Sequence, residues 1–252
     1  MTGRVTLIAH RGQPEKFPEN SLQGFAHVLE NGAAFVETDV HLTLDGVAVL
    51  SHDSHLLKLA GKQIILADHS YDDISNISAG YADRFGDQFS DFRIATLQQF
   101  VNLLKSWPEV TCFIELKEAA LNNFGMKAVD LIMQELSEIR SQIIFISFNC
   151  EAVLYSKQHY PEVEIGWVLP EWTEENHTKA AELAPRYLFV DTDLCPQQQS
   201  ALWPGVWEWA VYTVNTAQDV EHYAGLGIEM IETNRYSELK QESKIVDVSN
   251  DF

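Results

Sequence analysis

Positive charge is what this sequence lacks most. Against 37 aspartates and glutamates it carries 17 lysines and arginines, a formal net charge of -20. Nucleic acid and anionic membrane surfaces both reward basic patches, so neither is expected as a partner. A small phosphorylated substrate is not excluded, because it answers to the charge placed at one site. Cysteine is also sparse. Cys112, Cys150 and Cys195 form no CxxC pair and no zinc-ligand spacing. Such an odd, scattered set reads as reduced, partly buried thiols, the usual state in a cytoplasm. No apolar run approaches the ~18 residues of a membrane span. A cleaved export signal of ~15–30 residues is not expected either, since chemistry-bearing residues begin at His10. Also missing is a GxGxxG after a strand, which removes the main support for a doubly wound nucleotide-binding sheet.

What is present is a regular alternation. Short β-rich apolar runs occur at Val5–Ala9, Phe35–Val40, Cys112–Leu116, Ile143–Phe148, Ile165–Leu169, Tyr187–Val190, Trp209–Val214 and Ile228–Glu232. Several are apolar on both faces, as in parallel strands covered by helices. Between them lie helical patterns. Asn20-Ser21-Leu22-Gln23 resembles a capping box, Leu22, Phe25, Ala26 and Leu29 follow helical spacing, and Asn31-Gly32 supplies the stop. Thr96 to Trp107, Phe124 to Ile139, Glu151 to Tyr160, Thr173 to Leu183 and Thr216 to Leu226 also read as helices. Eight strands separated by helices predict an α/β fold, a closed (β/α)8 TIM barrel built from residues 1–252 as one domain.

Two stretches depart from the alternation. "DVHLTLDGVAVLSHD" alternates around Leu44-Asp45-Gly46, a strong β-hairpin signal. Strand two is expected to run on above the barrel, turn, and return to deliver His52 and Asp53. Residues 54–94 carry no long pattern and exceed an ordinary connection, so they read as a small cap inserted after strand two. Its Leu56, Leu57, Leu59, Ile64, Ile65 and Leu66 either pack the cap onto the barrel or grip an apolar alcohol.

Active sites of such barrels lie at the C-terminal ends of the strands. The polar residues there are His10-Arg11, Glu37-Thr38-Asp39, His52-Asp53, Glu115-Leu116-Lys117, Ser147-Phe148-Asn149, Thr213-Val214-Asn215 and Glu232-Thr233-Asn234. Glu37 and Asp39 stand two apart on a strand and share a face. Two carboxylates in one barrel mouth repel unless a cation sits between them. Glu115 can add a third, and oxygen ligands suit a hard ion such as Mg2+ or Ca2+. A solvated face, or pairing with arginines, is the competing reading. His10 and His52 can titrate near neutral pH, as an acid–base pair needs. Arg11 and Lys117 add fixed positive charge suited to phosphate, or pair with the same carboxylates. His27, His41, His55, His69, His159, His177 and His222 read as structural or solvated. Trp203, Trp207 and Trp209 in "LWPGVWEWAVYTVN" read as core and bottom-loop packing rather than a choline cage.

The ordered series His10-Arg11-Gly12, Pro18-Glu19-Asn20, Glu37-x-Asp39, Asp45-Gly46, His52-Asp53 and Glu115-x-Lys117 resembles the glycerophosphodiester phosphodiesterase family over nearly the whole chain. Ala95-Thr96-Leu97 looks like the family's Pro-Thr-Leu, Ser147-Phe148 matches its Ser-Phe, and Thr213-Val214-Asn215 is similar to its Trp-Thr-Val-Asn, with Tyr212 where Trp is usual. Short length and the missing signal look like the cytoplasmic bacterial branch. The resemblance implies a (β/α)8 barrel, one divalent cation (Mg2+ or Ca2+), and hydrolysis of glycerophosphodiesters such as glycerophosphocholine or glycerophosphoethanolamine to sn-glycerol 3-phosphate and an alcohol. It makes Glu37, Asp39 and Glu115 the metal ligands, His10 and His52 the acid–base pair, and Arg11 and Lys117 phosphate contacts. Glu19, Asn20, Asp53 and Asn234 are supporting candidates, with helix capping as the other reading of Asn20. The chain departs from the family at Asn234, where Asp is usual, at Ala95 for Pro and at Gln98 for an acid. Two alternatives stand beside this: a related phosphodiesterase acting on a larger lipid or phosphosugar diester, and a non-catalytic phosphate- or metal-binding barrel. The retained histidine pair argues against the second.

Overall fold

The computed structural model describes residues 5–242, so the end of the acidic tail, expected to fray, lies outside the described residues. The strands are β1 (Thr6–His10), β2 (Phe35–Leu42), β3 (Ala48–Leu50), β4 (Thr111–Leu116), β5 (Ile143–Ser147), β6 (Glu164–Val168), β7 (Tyr187–Asp191), β8 (Glu208–Tyr212) and β9 (Met230–Thr233). Eight of them pair in parallel, and the ring closes because β1 bonds both β9 and β2. Helices separate successive strands, as a (β/α)8 barrel requires.

The double-sided hydrophobicity of the runs explains the closure. One set of side chains, including Ile8, Phe113, Ile144, Phe189 and Met230, fills the ring. The opposite set, including Val36, Ile114, Phe145, Leu188 and Ile231, packs on helical residues such as Phe25, Phe100, Val129, Val153 and Val220. Helix starts follow side-chain chemistry: Thr96 and Gln99 form a capping box, while Asn149, Thr173 and Thr216 each accept a bond from their first helical turn.

Three local expectations need correction. The first helix (Leu22–Glu30) is capped by Ser21, whose hydroxyl accepts from Gly24 N at 3.2 Å, not by a box involving Asn20. The single helix expected over Phe124–Ile139 is shorter than expected and is preceded by another. Helix Glu118–Phe124 stops at Gly125, where φ is +58°, and a second helix spans Lys127–Glu135. A further helix, Tyr236–Glu242, follows the last strand.

The hairpin forms as expected. β3 returns antiparallel to β2, with Val40 opposite Leu50 and Leu42 opposite Ala48. Gly46 turns it at φ +79°, and Thr43 Oγ1 donates to Asp45 Oδ1 at 2.6 Å. Residues 54–94 fold into short helices that bury Leu56, Leu66, Ile74 and Ile94 against Val49 of the hairpin. Trp203, Trp207 and Trp209 are buried in the outer core, with Trp172 stacked on Trp203 at 4.1 Å between centroids.

Candidate active site

Above the aromatic filling of the ring, side-chain parity changes chemistry. On β2, Phe35 faces the inner core, and Glu37 and Asp39 follow on the same face. On β4, Phe113 is succeeded by Glu115, and on β9 Met230 is succeeded by Glu232. The resulting mouth holds a cavity with about 350 Å³ of empty space. His10, Arg11, Glu115, Lys117 and Glu232 line one part of it, with His52 brought in by the hairpin. Ile146, Phe148, Val168, Phe189 and Tyr212 line the rest.

Carboxylate oxygens of Glu37, Asp39 and Glu115 lie within 4.8 Å of one another, and all three residues are buried. Arg11 Nε is 3.0 Å from Asp39 Oδ2, while Lys117 Nζ is 3.1 Å from Asp39 Oδ1 and 2.6 Å from Glu115 Oε1. Neither Glu37 Oε1 nor Asp39 Oδ1 receives an aligned hydrogen bond. Three buried carboxyl groups this close together, with Glu37 Oε1 left without a partner, suit a divalent cation, so the residues present fit the oxygen-only ligand set of a hard ion.

The loop after β1 is shaped around this cluster. Arg11 and Asn20 both adopt left-handed backbone, φ +53° and +57°, which non-glycine residues seldom do. Asn20 uses that turn to donate from Nδ2 to Asp39 Oδ2 at 2.9 Å and to accept from Thr38 Oγ1 at 2.8 Å. Gly12 sits at φ +79°, where an added Cβ would come within 2.9 Å of the Gly24 carbonyl carbon. Glu19 receives Lys58 Nζ at 2.5 Å and lies 3.8 Å from Arg11, tying the cap to the loop.

Burial and neighbours set the charges. Burial, followed by the charge of Asp39, pushes the Glu37 carboxyl well above its ordinary range. Burial also works against ionised Asp39, but Arg11 and Lys117 hold it well below the usual carboxylate value. Glu115 is pushed up by burial against the opposing pull of Lys117. Glu232 is pushed up to about 8 by burial and by Glu115. His10 is pushed well below the ordinary imidazole value by burial and by Arg11, so it is neutral at neutral pH rather than poised to titrate there. Its Nδ1 donates to Asn234 Oδ1 at 2.9 Å, which leaves the Nε2 lone pair free. His52 is more open and donates from Nδ1 to Asp53 Oδ1 at 2.8 Å.

The match to known proteins follows this geometry. The model of the Glycerophosphoryl diester phosphodiesterase family matches residues 10–238. The chain belongs to that family. A glycerophosphodiester phosphodiesterase of Caldanaerobacter subterraneus subsp. tengcongensis is 26% identical over 241 residues, covering 92% of this chain and 94% of that one. Among solved structures, an Oleispira antarctica phosphodiesterase in complex with the product sn-glycerol-3-phosphate superposes with a TM-score of 0.83 at 20% identity, covering 94% of this chain and 96% of that one. A Parabacteroides distasonis glycerophosphodiester phosphodiesterase gives 0.78 at 24% identity, covering 95% and 97%. The phosphodiesterase family thus accounts for the enzyme class and agrees with the barrel.

Every site residue expected from the sequence of this family member falls at the same mouth, either lining the cavity or bonded to a residue that does. Sequence reasoning missed others. Glu232 was noted only as a polar residue at a strand end, yet it lines the cavity. His41 takes the structural of its two expected roles: it is buried, and its Nε2 donates to the His52 carbonyl at 3.1 Å, holding the segment that carries the second imidazole. The apolar wall could have been found from strand parity, since Val168 and Phe189 share the inner face with the ring filling. No residue of 54–94 lines this cavity; Leu56, Leu59 and Leu66 are buried in the cap, whereas Leu57 and Ile65 are exposed.

Proposed function

We propose that this enzyme hydrolyses glycerophosphodiesters, such as glycerophosphoethanolamine or glycerophosphocholine, to sn-glycerol 3-phosphate and an alcohol. One observation carries the reading: two imidazoles, Arg11, Lys117 and Glu115 line a single cavity at the C-terminal mouth of the barrel, and ligand atoms of Glu37 and Asp39 lie within 4.8 Å of that of Glu115. The sn-glycerol-3-phosphate held by the Oleispira relative supports the same product class.

Glu37, Asp39 and Glu115 would hold one divalent cation, Mg2+ or Ca2+. When bound, the cation supplies Lewis acidity and positive charge toward the phosphoryl group. Arg11 and Lys117 neutralise charge on the non-bridging oxygens while anchored by Asp39 and Glu115. His10, neutral and with Nε2 free, takes the proton of the attacking oxygen. His52, oriented by its Nδ1 bond to Asp53, returns a proton to the leaving alcohol. Asn234 fixes the His10 tautomer, and a neutral amide here suits a neutral imidazole as acceptor. Asn20 and Glu19 orient Asp39 and Arg11. The three free cysteines, two of them buried, support a reducing cytoplasmic setting. None of the described helices is long and apolar enough to cross a membrane.

The direct test is to incubate the protein with glycerophosphocholine and with glycerophosphoethanolamine and assay glycerol 3-phosphate with Mg2+, with Ca2+ and with chelator. Product that forms with a metal and vanishes with chelator is the expected outcome. Product undiminished by chelator would overturn the metal reading. No product from a wider diester panel would overturn the substrate class.

A further inference from the structure

The mouth of the barrel has two unlike halves, and Glu232 stands where they meet. β1, β2 and β4 present His10, Arg11, Glu37, Asp39, Glu115 and Lys117. β5 to β8 present Ile146, Val168, Phe189 and Tyr212, with Phe148 at the rim. β9 lies between β8 and β1 in the ring, so Glu232 adjoins both.

Glu232 is 4% exposed, lines the cavity, and its Oε1 has no hydrogen-bond partner. It stands outside the carboxylate trio whose ligand atoms gather within 4.8 Å. The cations of the site are engaged elsewhere: Arg11 by Asp39 and Glu19, Lys117 by Glu115 and Asp39. Among the described residues no side-chain cation lies within 4.0 Å of Glu232. A buried acceptor left unpaired is costly to the fold. It persists where a ligand completes it.

We propose that Glu232 selects the alcohol half of the diester, receiving an alcohol that carries a primary ammonium group on a short carbon chain. The proposal rests on the glycerophosphodiesterase reading of the same site. Arg11 and Lys117 answer the phosphate charge, which leaves one acid and an apolar, aromatic wall to meet the alcohol. A primary ammonium donates N–H to the unpartnered Oε1, and its charge favours the ionised carboxylate over the neutral acid that burial favours without it, giving a charge-assisted bond. The faces of Phe148, Phe189 and Tyr212 suit the carbon chain and the cation alike. A quaternary ammonium offers charge without a donor and leaves Oε1 unbonded. A neutral polyol brings hydroxyls to an apolar wall and no counter-charge. The expected order is therefore ethanolamine diester, then choline diester, then glycerol diester.

The test compares kcat/KM for glycerophosphoethanolamine, glycerophosphocholine and glycerophosphoglycerol in the wild type, Glu232→Gln and Glu232→Asp. The wild type should favour the ethanolamine over the glycerol diester by about tenfold or more, the scale of one charge-assisted contact. Glu232→Gln should lose most of that ratio and Glu232→Asp should keep more of it. A wild-type ratio near unity overturns the proposal without any variant. So does a ratio that survives in Glu232→Gln, or rates that fall in proportion for all three diesters in both variants. If the wild type turns over no diester, the hydrolase reading falls. The proposal is then decided by calorimetry on the same protein. Tighter binding of glycerophosphoethanolamine than of glycerophosphoglycerol, lost in Glu232→Gln, upholds it, and equal binding overturns it.

Discussion

At the scale of single residues, the two imidazoles differ by surroundings rather than by kind. His10 is enclosed and bonded to an amide; His52 is open and bonded to a carboxylate. Replacing either by alanine should reduce turnover by ~10²–10⁴-fold, as loss of a general acid or base does. Steady-state assays check this, and full activity in both variants would remove the acid–base assignment. His41 makes a different prediction. Burial pushes its imidazole down to about 4, against about 6.5 in an unfolded chain. Between those values the unfolded chain binds the extra proton. The stability tied to neutral His41 is therefore whole above about pH 6.5 and is lost as pH falls through about 4, up to about 3 kcal/mol. Urea unfolding of wild type and His41→Gln across this range, in chelator, should show the wild type losing more stability on acidification. Parallel curves would refute it. The residues that sequence alone revealed are those whose neighbours in the chain are informative: His10-Arg11, Glu37 with Asp39, and Glu115 with Lys117. Glu232 and His41 were opaque because their meaning lies in partners from other strands and in the absence of a donor, which no local spacing displays.

At the scale of elements, strands and helix starts were legible because period and cap chemistry are local. The hairpin followed from Asp45-Gly46, and the parity of β2 placed Glu37 and Asp39 together. The short helix Glu118–Phe124 was not legible, because Asn122 and Asn123 are poor helix formers and leave only Ala119, Ala120 and Leu121 as a helical signal before Gly125. The position of the Asn20 side chain was likewise hidden. Adjacent Asn and Ser both suit a cap, and only the left-handed turn at Asn20 shows which of them faces Asp39. Asn20 N donates to the carbonyl of Arg11 at 3.0 Å, and the next residue, Gly12, sits at φ +79° with its Cα against helix Leu22–Glu30. Gly12→Ala should cost roughly 1–3 kcal/mol through positive-φ strain and the clash with Gly24. Chemical unfolding measures this. A loss within error of zero would mean that the loop relaxes freely.

At the scale of the whole molecule, a formal charge of -20 sets a background against which the local positive field at Arg11 and Lys117 has to work. Diffuse repulsion among surface carboxylates opposes the compact state and is screened as the Debye length falls from about 30 Å at 0.01 M salt to about 8 Å at 0.15 M. Thermal unfolding in chelator should therefore shift to higher temperature as sodium chloride is raised over that range. A shift to lower temperature would show that surface ion pairs such as Arg140–Glu162 outweigh the repulsion. The ring itself was legible from the alternation of runs. Its unequal mouth was not, since that depends on which strands become neighbours.

The contact between His10 and Asn234 spans 224 positions and crosses the seam where the first strand meets the last. One imidazole is thus held by a residue that leaves the ribosome long after it. A growing chain cannot complete this site until β9 has docked. Completion of the site is consequently tied to ring closure, and turnover would report that closure in a way that helix content cannot.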